Sequence, residues 1–197
     1  MTRSSYANGP GILVWAALLI GAALAHALAA QGAGEEGTRL VIRQTARISV
    51  LYFSAAFAAS SLLRLRPAPW SRWMMRNRRW LGLSFALSHL VHLAAILLLL
   101  RIAPDFAIDT ATLVGGGLAY VFIALLAATS FDGAVRRLGV RTWRALHKTG
   151  MYYIWIIFTF SYLPRALAST PFIAPTVLLF SALGLRIAAY RAARQSR

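Results

Sequence analysis

Residues 80–100 read WLGLSFALSHLVHLAAILLLL, 21 positions with no aspartate, glutamate, lysine or arginine. At roughly 1.5 Å of rise per residue, a helix of this length covers about 30 Å, the thickness of a bilayer's hydrocarbon core. The run shows no alternation of apolar and polar residues, so it does not suit a lipid-facing barrel strand. A helix, which satisfies every backbone N–H and C=O within the segment, is the remaining way to cross lipid. The same reading applies outward in both directions. Residues 11–30, 48–63, 111–130, 149–163 and 171–190 are further apolar stretches, the fifth span (149–163) short but rich in aromatics. The sequence therefore predicts an all-α membrane protein, a single six-transmembrane-helix bundle over residues 1–197 with short connections.

Composition agrees. Of 197 residues, 59% are hydrophobic and 13% charged, and the mean hydropathy is +0.62. Soluble domains are nearer half apolar and a quarter charged, and disordered chains have few apolar residues. The formal net charge of +16 does not point to nucleic acid, because the cations gather in the segments between the apolar spans. With no cysteine, disulfides, thiolate chemistry and cysteine-held metal clusters are excluded. Small residues such as Ala55, Ala56, Ala58, Ala59 and the glycines at 115–117 read as close helix packing. That glycine run lies inside an apolar span, not between a strand and a helix, so it is no phosphate loop.

The distribution of charge sets the orientation. With the N-terminus inside, sixteen of the 21 basic residues fall on the inner side and five (Arg39, Arg43, Arg47, Arg101 and Arg165) on the outer side. The positive-inside rule favours this arrangement, with both termini cytoplasmic. Glu35, Glu36, Asp105 and Asp109 then lie outside and Asp132 inside. The first span imitates a signal peptide, since Arg3 precedes it and AHALAAQ (25–31) closes it. Its apolar run is long for a signal core, and a retained helix is expected.

Ionisable groups at membrane depth cost free energy and mark functional sites by default. Here they are histidines: His26 in the first span, His89 and His92 in the third, and His147 at the inner mouth of the fifth. No carboxylate or lysine lies mid-span, which argues against a proton or cation transporter. Imidazoles alone in an apolar bundle suit haem, an apolar macrocycle whose iron takes ligands from facing helices. Each histidine also has a plainer reading. His92 could be a polar group satisfied across helices, and His147 an ordinary basic residue of an inner loop. His89, on nearly the same face as His92, reads as a neighbour or propionate contact. His26 reads as a lone polar contact.

Two segments carry a family resemblance. Residues 76–92, RNRRWLGLSFALSHLVH, hold Arg78, Arg79, Leu81, Gly82, Leu83 and His92. Residues 129–153, TSFDGAVRRLGVRTWRALHKTGMYY, hold Thr129, Ser130, Arg137, Leu138, Gly139, Trp143, Leu146 and His147. In this order the chain resembles the ferric-reductase-like transmembrane domain family, nearest to the haem-binding membrane subunit of the periplasmic methionine sulfoxide reductase system. The resemblance implies a b-type haem protein that relays electrons from a separate cytoplasmic flavin reductase to a periplasmic acceptor. FMN at the cytoplasmic face is a further cofactor candidate. It carries His92 over as an axial ligand on the third span and His147 as a ligand on the fifth, nearer the cytoplasm.

The chain departs from that pattern. A second histidine is expected on the fifth span, where Phe160 and Ser161 stand, and another at the start of the third, where Arg78 stands. Three alternatives follow: a five-coordinate haem; a substitute ligand from Tyr162 or His26; or a haem-free relative acting as a membrane interaction or assembly protein.

Overall fold

The computed structural model describes residues 7–195, and these are helical nearly throughout. The helices are α1 (Pro10–Gln31), α2 (Glu35–Leu65), α3 (Pro69–Arg76), α4 (Arg78–Ile102), α5 (Thr110–Ala128), α6 (Asp132–Leu138), α7 (Val140–Ala168) and α8 (Ile173–Gln195), with a 3-10 turn at Thr170–Phe172 before α8. Arg3 and Arg197, two of the cations behind the predicted orientation, lie outside the described residues.

Among the described residues, five helices are long and apolar enough to cross a membrane: α1, α2, α4, α5, and α8 with its preceding turn. They match the predicted first, second, third, fourth and sixth spans. The predicted fifth span, 149–163, is the middle of the 29-residue α7. Arg141, Arg144, Lys148 and Arg165 flank that apolar stretch. Pro164 lies inside α7 and removes the backbone donor for the Phe160 carbonyl.

The helix that carries the second span starts earlier than the apolar stretch 48–63. Residues 31–47 read as an outer connection because arginines interrupt the apolar pattern, but helix α2 begins at Glu35 and runs 31 residues. Its first turns are supported by the Glu35–Arg39 pair at 2.6 Å, an i,i+4 arrangement with the acid toward the N-terminus. Arg39, Arg43 and Arg47 follow one another every four residues along this helix, with Arg43 and Arg47 exposed. A helix ridge of cations resembles a loop when only hydropathy is read.

Contacts divide the chain into two compact units. The first holds the chain up to Phe53 plus Trp80–Ile108, which covers α1, the first half of α2 and most of α4. Its core includes Ala16, Ile20, Val50, Phe53, Phe85 and Leu99. The α1–α2 connection is tight. Gly32 caps α1 with φ 73°, and a Cβ on Gly37 would stand 1.9 Å from the Gly32 carbonyl oxygen, so only glycine fits there. A cavity of about 390 Å³ lies here, lined by Leu24, Ala27, Val41, Val91, Ala95 and Leu98 among others; His89 and His92 are not part of its wall.

The second unit holds Ser54–Arg79 and the chain from Asp109 onward. Helix α7 packs on α5, α6 and α8. Gly150 allows the α5–α7 approach, since a Cβ there would lie 3.1 Å from Leu126 and Phe122. The Tyr153 hydroxyl donates to the Gly115 carbonyl at 3.0 Å, so the glycine run on α5 serves helix packing. Ala56, Ala58 and Ala59 are buried in the same way.

Candidate functional site

His92 stands on α4 with its Nδ1 3.1 Å from the Ile42 carbonyl oxygen and 3.1 Å from Thr45 Oγ1, both on α2. A carbonyl only accepts, so Nδ1 carries the proton. Nε2 is then the unprotonated nitrogen with a lone pair to give. Thr45 in turn donates to the Val41 carbonyl at 2.7 Å. One turn before His92, the Ser88 hydroxyl donates to the Thr45 carbonyl at 3.0 Å and accepts from Ser49 Oγ at 3.0 Å. Thr45, Ser49 and Ser88 are fully buried. These bonds fasten α2 to α4 beside His92, as hydroxyls do inside apolar helix pairs.

His89 lies directly against His92. Their rings stack at 5.0 Å with 19° between planes, as the i,i+3 spacing dictates. Phe85 packs on the other side of His89 at 5.4 Å and meets Phe53 edge-on at 5.4 Å. The four rings form a continuous row within the first unit.

His26 is exposed on α1, and its Nδ1 lies 2.8 Å from Gln44 Nε2. The amide nitrogen donates, so Nδ1 accepts. This is a polar pair between α1 and α2.

His147 lies in the second unit, on the first turns of α7 before the apolar stretch. Its Nε2 is 3.0 Å from Thr129 Oγ1. That hydroxyl gives its own hydrogen to the Leu125 carbonyl at 2.6 Å, so His147 Nε2 must donate and Nδ1 keeps the lone pair. Trp143 stacks against the imidazole at 4.2 Å and donates its indole N–H to the Thr129 carbonyl at 2.7 Å. The T-S, W and L-H elements of the sequence thus meet at one residue, Thr129. Burial, and after it the Arg78 charge, hold the His147 imidazole down at about 4, so it is neutral at pH 7.

The position where a second histidine is expected on the fifth span holds Phe160, 75% exposed. Tyr162 is buried and packs between Phe158 at 6.3 Å and Phe172 at 6.0 Å. Arg78, where another histidine is expected, donates its Nε–H to the Ala56 carbonyl at 3.1 Å. Among the described residues no three of His, Cys, Asp and Glu gather as a metal site. Side-chain ligation of a bare ion usually needs at least three such groups.

Sequence reading found the histidines but missed Ile42, Thr45, Ser49 and Ser88. Ile42 contributes only a backbone carbonyl, which no side-chain pattern reveals. Thr45 fell in the segment read as a connection. Ser49 and Ser88 were legible as hydroxyls within apolar spans, the usual mark of interhelical bonds.

Among known proteins, the family model described as ferric reductase like transmembrane component matches residues 45–159, more than half of the chain. No curated protein and no solved structure matches it.

Proposed function

Because this chain belongs to the ferric-reductase-like transmembrane family and is a multi-pass membrane protein by its apolar helices, we propose that it is a b-type haem electron-transfer subunit. It takes electrons from a separate cytoplasmic flavin reductase and passes them across the membrane to an acceptor. Within the family we assign it to the type of the haem-binding membrane subunit of the methionine sulfoxide reductase system, on the two motif segments at 76–92 and 129–153. The six-span layout with both termini inside is part of this proposal.

The observation that carries the reading is the hydrogen bond from His92 Nδ1 to the Ile42 carbonyl. An imidazole ligand typically gives its other ring N–H to a carbonyl or carboxylate, which fixes the tautomer and raises the basicity of the free nitrogen. His92 has that arrangement, so its side chain would suit haem iron as a ligand. Haem, when bound, supplies the one-electron redox chemistry. The protein's own residues do the rest. The Ile42 carbonyl and Thr45 hydroxyl hold the imidazole proton. Ser49 and Ser88 keep α2 and α4 in register. His89 stacks on the ring and limits its rotation. His147 is the ligand candidate of the second unit, offering Nδ1 as it stands, or Nε2 if Thr129 releases it. The arginines near His147 attract the anionic groups of a haem or of FMN.

A second reading, a haem-free interaction or assembly protein, has its own support: His147 Nε2 is engaged by Thr129, and Phe160 replaces the expected histidine. One experiment separates the two. Protein expressed with haem available is purified and its visible spectrum recorded before and after reduction, with a pyridine haemochrome count. A sharp Soret band that shifts on reduction and loses the absorbance of the His92 site in His92→Ala supports the electron-transfer reading. A colourless preparation supports the haem-free one.

A further inference from the structure

Arg186, in the second half of α8, is held on several sides. Its Nη1–H donates to the Phe57 carbonyl at 2.8 Å and its Nε–H to the Tyr152 hydroxyl at 3.1 Å. The guanidinium carbon lies 4.3 Å from the centre of the Phe57 ring and 4.9 Å from that of Tyr152. Arg78 donates its Nε–H to the carbonyl of Ala56, the residue before Phe57. Two guanidiniums therefore hang from consecutive carbonyls of α2, and the positive charge of Arg186 bears on Arg78. Both arginines are half-buried.

Neither meets an acid. Among the described residues the ion pairs are Glu35–Arg39 and Arg79–Asp132. Like charges drawn close and partly out of water are unfavourable unless an anion offsets them. The two side chains engage only three of their N–H groups in these bonds, although a guanidinium carries five in a fork that fits phosphate or carboxylate oxygens. The Tyr152 hydroxyl accepts from Arg186, so its own hydrogen remains to be donated.

We propose that Arg78, Arg186 and the Tyr152 hydroxyl bind the phosphate of an anionic phospholipid headgroup. A lipid is favoured over a soluble phosphate by the surface around Arg186. Ile187 and Tyr190 are exposed, at 44% and 62%, on the same helix. Arg194 lies over the Tyr190 ring at 5.7 Å. Exposed tyrosine beside arginine is the composition of a membrane–water interface, and basic pockets between membrane helices take anionic headgroups. The lipid contact is argued without haem, but Arg78 also lies near enough to His147 for its charge to act there, so haem and lipid are read side by side in the test.

The test is native mass spectrometry of the full chain in detergent, offered phosphatidylglycerol or phosphatidylcholine with matched acyl chains. The wild type retains phosphatidylglycerol in preference. Arg186→Gln lowers that retention about tenfold, the loss expected for one charge-assisted contact, while Arg194→Gln leaves it near the wild-type level. Tyr152→Phe keeps the ring against Phe57 and lowers retention several-fold; it decides the matter if Arg186→Gln does not elute as folded protein. Equal retention of the two lipids, or an equal loss in Arg194→Gln, overturns the proposal. So does millimolar inorganic phosphate that displaces the lipid and raises the melting temperature as much as the lipid does. Haem content is measured alongside: an Arg186→Gln protein that loses pigment and keeps its lipid also overturns it.

Discussion

His92 on α4 gives its Nδ1–H to the backbone carbonyl of Ile42 on α2, 3.1 Å away. A side-chain partner can be lost by mutation, but a carbonyl cannot. The tautomer of this imidazole is therefore set by how two helices pack, and its Nε2 keeps its lone pair. On the proposed function, that nitrogen would hold the haem iron.

The first prediction concerns pigment. His92→Ala removes the Soret absorbance assigned to this site, whereas His26→Ala, whose partner is Gln44, leaves the spectrum unchanged. Thr45→Val keeps the Ile42 bond and retains haem. Visible spectra of the three purified variants, normalised to protein, check the order. If His26→Ala bleaches the protein and His92→Ala does not, the ligand assignment is wrong.

The second concerns the hydroxyl link beside His92. Ser88→Ala cuts both the bond to the Thr45 carbonyl and the one from Ser49. Polar contacts between membrane helices are worth about 0.6 to 1.7 kcal/mol, so a loss of about 1 kcal/mol is expected. Thermal unfolding in detergent reads it as a lower midpoint. An unchanged midpoint would show that the link adds nothing.

The third concerns the α1–α2 turn. Gly37→Ala places a methyl 1.9 Å from the Gly32 carbonyl oxygen, a backbone atom that cannot move aside without breaking the turn. Gly82→Ala, on α4, meets nothing within 4 Å and gains helix propensity of up to about 1 kcal/mol. The two variants should move the melting midpoint in opposite directions, down for Gly37→Ala and up or level for Gly82→Ala.

The fourth concerns pH. The fold holds His147 at about 4, below the ordinary 6.5 of an unfolded chain. The unfolded state then binds more protons between these values, so the contribution of His147 is complete above pH 6.5 and is lost as pH falls toward 4. His147→Asn, which cannot titrate, should lose less stability than the wild type over that window. Parallel curves of midpoint against pH for the two proteins would contradict this.

Much of the molecule was readable from its residues. The apolar runs determined that helices cross lipid, because no other open structure satisfies the backbone there. The order of RNRRWLGLSFALSHLVH and TSFDGAVRRLGVRTWRALHKTGMYY determined the family. Helix limits were less legible where charge and helix coincide. The arginines at 39, 43 and 47 interrupt hydropathy but not hydrogen bonding, and α2 passes straight through them.

What only tertiary structure decided is which atom of each imidazole is engaged, and by what. The donor to Thr129 is Nε2 of His147, and the donor to Ile42 is Nδ1 of His92; both follow from how neighbouring helices approach. The same holds for Arg78 and Arg186, more than a hundred positions apart, whose guanidiniums reach neighbouring carbonyls of α2. A sequence specifies side chains and their periodicity, but a backbone carbonyl has no residue identity, and its role as a partner exists only once the chain has folded against itself.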